Sequence, residues 1–168
     1  IRRAFDYLAR MIWKHHRISF SKSLFVFPIL ILLSSCQHKN NNNTMRHTIY
    51  SKEAPEPIGP YTQAVQYGNT IFLSGQIGID RTGEFVSADV VEQTKQAMKN
   101  IGFVLEEAGL SYENIIKTSI FLKDMNDFPK VNEAYASYFK DQFPARETVE
   151  VSRLPKDAKV EISVVVGK

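Results

Sequence analysis

A single cysteine, Cys36, in 168 residues excludes an internal disulfide, and the four histidines do not gather with it at metal-ligand spacing. Neither a stapled fold, a metal centre nor a cofactor is expected. Positive charge is scarce where a nucleic-acid surface would need it. Residues 1–44 carry seven Lys/Arg against one Asp, whereas residues 45–168 carry fourteen Lys/Arg against seventeen Asp/Glu. The overall charge of +3 therefore hides a mildly acidic body, which argues against a basic face for phosphate backbones and gives nucleic-acid binding no support. No apolar run is long enough to span a bilayer either: Leu24–Leu33 is ten residues, against the ~20 required.

That run sits in a recognisable context. Lys14, His15, His16, Arg17 and Lys22 precede it, and Ser34-Ser35-Cys36 follows. A basic head, an apolar middle and a small-residue end form a secretory signal rather than a fold element. The order Leu33-Ser34-Ser35-Cys36 resembles a bacterial lipobox, which implies lipidation of Cys36 and attachment to the membrane of a bacterial cell envelope. The Asn-rich stretch that follows reads as a disordered tether. The expected organisation is a signal segment over 1–36, a tether over 37–47 and one domain over 48–168. Met11 is a candidate start that would leave residues 1–10 untranslated; Met45 is another, and initiation there would give a soluble cytoplasmic form.

The body alternates its periodicities. A short strand is expected at HTIYS, then a fixed loop through Pro55, Pro57, Gly59 and Pro60, where helix is ruled out. Ala64–Tyr67 and Thr70–Ser74 are β-rich runs joined by Gly68-Asn69, a hairpin turn pair. A second turn is expected at Arg81–Gly83. Asp89 with Glu92 predicts an N-cap with a reciprocal capping contact, and Val90, Thr94, Ala97, Met98, Ile101, Leu105 and Ala108 recur at helical spacing up to Gly109. Ile115–Leu122 reads as a strand. Asp127-Phe128-Pro129 opens a second helix with the stripe Phe128, Val131, Tyr135, Tyr138 and Phe139, and Asn132 on or beside its buried face. Two singly amphipathic helices can cover one face of a sheet. Because runs such as Val164-Val165-Val166 are apolar at both parities, the other face is expected to be buried by self-association.

The stretch Phe143–Val166 carries the charges of most chemical interest. Val149 and Val151, then Val160, Ile162, Val164 and Val166, alternate with polar or exposed positions on either side of Arg153-Leu154-Pro155-Lys156-Asp157. This predicts an antiparallel hairpin with Arg146 opposite Glu161. A guanidinium beside a carboxylate could clamp a substrate carboxylate while the Glu handles a proton, or it could be an ordinary cross-strand ion pair. In isolation Tyr61 reads as a packing aromatic and Asn132 as a tether of the helix.

Five separated segments, PIGPYTQAV at 57–65, IFLSGQIGID at 71–80, QTKQAMKNI at 93–101, KTSIFLKDM at 117–125 and FPARETVEVSRLPKDAKVEI at 143–162, together resemble the reactive intermediate deaminase (Rid, or YjgF) family, most closely its RidA branch. The resemblance covers Met45–Lys168. It implies a chorismate-mutase-like α+β subunit, a mixed sheet with two helices on one face, and a homotrimer with a central barrel and clefts between subunits. It also implies hydrolysis of enamine and imine acids, such as 2-aminoacrylate, 2-iminopropanoate and 2-iminobutanoate, to 2-keto acids and ammonia. Arg146 matches the family's carboxylate-gripping arginine and Glu161 its water-positioning glutamate. Tyr61, Asn132, Ser74 and Gly75 match cleft positions, and Thr148 stands where close relatives often carry cysteine, which removes thiol chemistry but not the clamp. The competing reading is a non-catalytic trimer that binds 2-keto or other short carboxylic acids. Ribonuclease activity, linked to some relatives, has little support in the acidic body.

Overall fold

The computed structural model describes residues 45–168; the apolar run, Cys36 and nearly all of the Asn-rich tether lie outside the described residues. Six strands form one mixed sheet: β1 (Arg46–Ile49), β2 (Ala64–Tyr67), β3 (Thr70–Ile77), β4 (Ile115–Leu122), β5 (Ala145–Glu150) and β6 (Val160–Gly167), in the spatial order β1-β2-β3-β6-β4-β5. Two helices, α1 (Val90–Glu107) and α2 (Phe128–Ala136), share one core with the same sheet face. This is the expected chorismate-mutase-like α+β arrangement. β1 begins at Arg46, two residues ahead of the expected domain start.

Local chemistry accounts for the elements. Gly68, at φ +60°, closes the β2–β3 turn between Tyr67 and Thr70. The Asp89 carboxylate accepts the Val91 and Glu92 N–H groups at the start of α1. The expected return contact is absent, because the Glu92 carboxylate pairs with Lys95 at 2.8 Å instead. Gly109, at φ +71°, ends α1, with Leu110 N–H closing back on Leu105 O. The second helix stops at Ala136, earlier than its apolar stripe suggested. Tyr138 and Phe139 pack from the following turn, edge-on to Tyr112 and tilted on Tyr135 respectively.

The expected β5–β6 hairpin does not form. β5 runs parallel to β4, while β6 lies between β3 and β4 and is antiparallel to both. The physical reason lies in the two compositions. Val160, Ile162, Val164 and Val166 are all buried under the helices, so β6 belongs at the centre, whereas ARETVE is exposed along nearly its whole length and sits at the edge. The linker supports this: Lys156 and Asp157 both take positive φ in a 3₁₀ turn, carrying the chain past β4 instead of straight back.

The face away from the helices is left open in the subunit. Phe72 is 51% exposed and Val149 42%, and Phe121 and Val165 lie on this face by register. The helix-side core contains Ile71, Leu73, Ile120 and Ile162, each fully or nearly fully buried and each worth about 1.5–3 kcal/mol of apolar burial. Two helix polar groups are buried with them. Asn100 Nδ2 donates to Ile77 O and Ile79 O, and Gln93 bridges Ser87 O and Lys159 N–H. Both fall on the apolar stripe of α1.

Gly78 marks where α1 presses closest on the end of β3: a Cβ there would stand 2.5 Å from Gln93 Cα. Gly78→Ala is expected to cost about 1–3 kcal/mol, as overpacking against a backbone atom does. Urea denaturation should show a lower midpoint with an unchanged slope.

Candidate functional site

The loop Ser51–Thr62 is held by one buried amide. Gln63 Oε1 accepts Ser51 N–H at 2.7 Å, and its Nε2 donates to Ser51 O and Pro55 O at 3.1 and 3.0 Å. Both of its donors and its oxygen are engaged by the loop. This fixes Tyr61, whose hydroxyl accepts Ile58 N–H at 3.2 Å, and brings Thr62 O to the Ser74 hydroxyl at 2.7 Å. Sequence reasoning missed Gln63. The available signal was a lone amide ahead of an apolar strand and directly after a proline-rich loop.

Ser74 and Gly75 form an irregularity in β3, between the pairs Leu73–Val164 and Gln76–Ile162. The extra residue lets Glu161 of β6 lie across the strand. A Cβ on Gly75 would fall 1.8 Å from Glu161 Oε1, so only glycine leaves the carboxylate this place. Glu161 pairs with Phe121 and Ile77 and therefore occupies the face away from the helices. It is half-buried, and that burial pushes its carboxyl above the ordinary carboxylate range, with no cation offsetting it. Tyr61, Ser74, Gly75 and Glu161 line one cavity of about 300 Å³, together with Glu56, Ile58, Ile79 and Pro155.

Arg146 occupies a different place. It pairs with Thr118 of β4 and so belongs to the helix face, where its guanidinium carbon lies 5.1 Å from the Tyr135 ring centre and 5.8 Å from that of Phe128. Among the described residues it has no carboxylate partner. Tyr135 is fixed by a 2.9 Å hydrogen bond with the Thr118 hydroxyl, and burial raises its phenol. Arg146, Asn132, Tyr135, Phe143 and Pro144 line a second cleft of about 390 Å³. Thr148, two residues along β5 and on the same face as Arg146, lines neither cavity; its Oγ1 is buried with no hydrogen-bond partner among the described residues.

The expected cross-strand contact of Arg146 with Glu161 is thus replaced by a separation. Within one subunit they stand on opposite faces of the sheet, with β4 between their strands. The ordinary intrachain ion pair is thereby excluded as well. One cavity holds a desolvated carboxylate suited to proton transfer, and the other holds a planar cation, stacked on aromatic rings, suited to a carboxylate ligand. Among the described residues no group of acidic, histidine or cysteine side chains is arranged to hold a metal.

Comparison with known proteins bears on this arrangement. Residues 51–167 match the family model described as endoribonuclease L-PSP. A RutC family protein of Pyrococcus horikoshii is 52% identical over 125 residues, covering 74% of this chain and 99% of that one. The human protein named 2-iminobutanoate/2-iminopropanoate deaminase is 47% identical over 125 residues, covering 74% and 91%. The solved structure of E. coli TdcF with bound serine superposes with a TM-score of 0.70 at 40% identity, covering 73% and 98%. With the model match spanning most of the chain and such identities over nearly the full length of these relatives, the chain belongs to the endoribonuclease L-PSP family, the group that includes the RutC and Rid (YjgF) proteins.

Proposed function

We propose that the protein hydrolyses small 2-imino acids to 2-keto acids and ammonia. The observation that carries this reading is the division of one chemistry between two half-sites: a desolvated Glu161 held over Gly75, and an Arg146 fork with no carboxylate of its own. The relative named 2-iminobutanoate/2-iminopropanoate deaminase supports it, and so does the amino acid held by TdcF. Arg146 grips the substrate carboxylate through paired N–H bonds. Asn132 stands beside that clamp, Thr148 lies two residues further along β5 on the same face, and Tyr61, Ser74 and Gly75 shape the carboxylate half. Glu161 takes a proton from water as its oxygen adds to the imine carbon and passes it to the nitrogen of the resulting carbinolamine; the carbinolamine hydroxyl then gives up its proton to Glu161 as the C=O bond forms, the C–N bond breaks and nitrogen leaves as ammonia. A protonated imine is already electrophilic, so orientation of the acid and of one water supplies most of the catalysis.

Arg146→Lys should leave the fold intact and severely reduce turnover, because a point charge replaces the planar fork. Keto-acid release in an assay coupled to an imine-generating dehydratase measures it, and near-normal rates would remove the clamp from the mechanism. Glu161→Gln should still bind carboxylate but react on the order of 10²-fold more slowly. The base must be ionised, and burial raises its pKa in the free protein, so kcat/KM should fall with acidity from a pH above the usual glutamate range. That acid limb should vanish in the Gln variant.

We propose that the two half-sites meet between subunits, in a homotrimer with shared clefts. Its assembly would also cover Phe72 and Val149. Light scattering should give three subunit masses, and mixed trimers refolded from the impaired Arg146→Lys and Glu161→Gln chains should be more active than either variant alone. No recovery on mixing would mean that each site is built within one chain.

We further propose that the form carrying the signal segment is anchored through lipidated Cys36, with the Asn-rich tract holding the trimer off the membrane. Fractionation should place the native protein with membranes and Cys36→Ala elsewhere. Finding native protein in the cytoplasm with Met45 as its first residue would overturn the anchor.

A further inference from the structure

The cavity that holds Glu161 contains a second carboxylate. Glu56, from the loop fixed by Gln63, lines the same 300 Å³ space, and its carboxylate accepts the Tyr50 hydroxyl. Among the described residues no lysine, arginine or histidine lines it. Of the cations that flank Pro155, Lys156 donates to Gly83 O, and Arg153 is held by both oxygens of Asp157 at 2.6 and 3.0 Å. The apolar Ile58, Ile79 and Pro155 line the same space.

Resting on the deaminase reading above, we propose that Glu56 makes this cleft charge-selective, favouring 2-imino acids whose side chain is neutral or cationic over those that carry a second carboxylate. A sphere of 300 Å³ is about 8 Å across, which is roughly one Debye length at physiological salt. A substrate side chain inside it therefore lies within about one screening length of both acids, close enough to feel them and open to weakening by salt. The α-carboxylate is provided for by Arg146; a second carboxylate would meet two like charges and no counter-ion. Glu56 is exposed on its outer side, so its influence is that of a rim charge rather than a buried one. Such a charge changes capture of a charged substrate more than the chemical step, so the preference belongs in kcat/KM and KM.

The test uses the full-length protein with imines released in situ by amino-acid oxidases from 2-aminobutyrate, arginine and glutamate, and follows their conversion. The readout is kcat/KM for the cationic and the dicarboxylic imine, each divided by that for 2-iminobutanoate. Wild type should favour the cationic over the dicarboxylic imine, and the margin should shrink in high salt. Glu56→Gln should narrow the margin about three- to fivefold, the size of one exposed charge contact, and Glu56→Lys should reverse it. A merely structural Glu56 would change all three substrates in proportion and leave the ratios fixed. Turnover of 2-iminobutanoate with ratios unchanged in both variants overturns this proposal and leaves the deaminase reading standing. Absence of turnover on every imine overturns both.

Discussion

Everything in this subunit depends on where β6 lies. Its even-numbered residues, Val160 to Val166, are buried against the helices, and its backbone is paired on both sides, so it can occupy only the middle of the sheet. That choice pushes β4 outward by one strand and β5 to the edge. It also sends Glu161, at the opposite parity, to the face away from the helices, while Arg146 stays on the helix side. A single packing preference thus separates the two groups with the most chemistry in the chain.

Glycine and amide chemistry then refine the carboxylate half. Gly75 is required by contact rather than by backbone angle: the space above it is the space that Glu161 fills. The same logic applies at Gly78, where the helix backbone approaches. Gln63, Gln93 and Asn100 are buried amides, and each ties a loop or strand end to the scaffold through backbone groups. The cavity wall is therefore held by hydrogen bonds, while the Glu161 carboxylate has no hydrogen-bond partner among the described residues.

The open sheet face and the unpaired Arg146 have a common physical meaning. A large aromatic such as Phe72, half exposed on a central strand, forgoes apolar burial, and a guanidinium stacked on Tyr135 and Phe128 without a carboxylate has its planar edge unspent. Both are what the proposed shared clefts would use, and the two cavities on one chain hold charges of opposite sign.

Periodicity alone determined the elements: the β2–β3 hairpin through Gly68-Asn69, the cap and stop of α1 at Asp89 and Gly109, and the strands at 115–122 and 160–167 were legible because each signal is local. The residue types of the site were legible too, since an arginine, a glutamate and a glycine-bearing strand end carry their chemistry in their identity. What only the tertiary structure decided was neighbourhood. Period-2 alternation says which residues share a strand face but not which strand lies alongside, so two consecutive strands read as a hairpin while β4, placed earlier in the chain, had come between them. The same limit hid Gln63 and the second carboxylate, Glu56, because a loop's position over a strand is fixed by hydrogen bonds across a dozen residues and not by any local pattern. Short-range chemistry writes the elements; long-range burial chooses their order, and the order decides which functional groups meet.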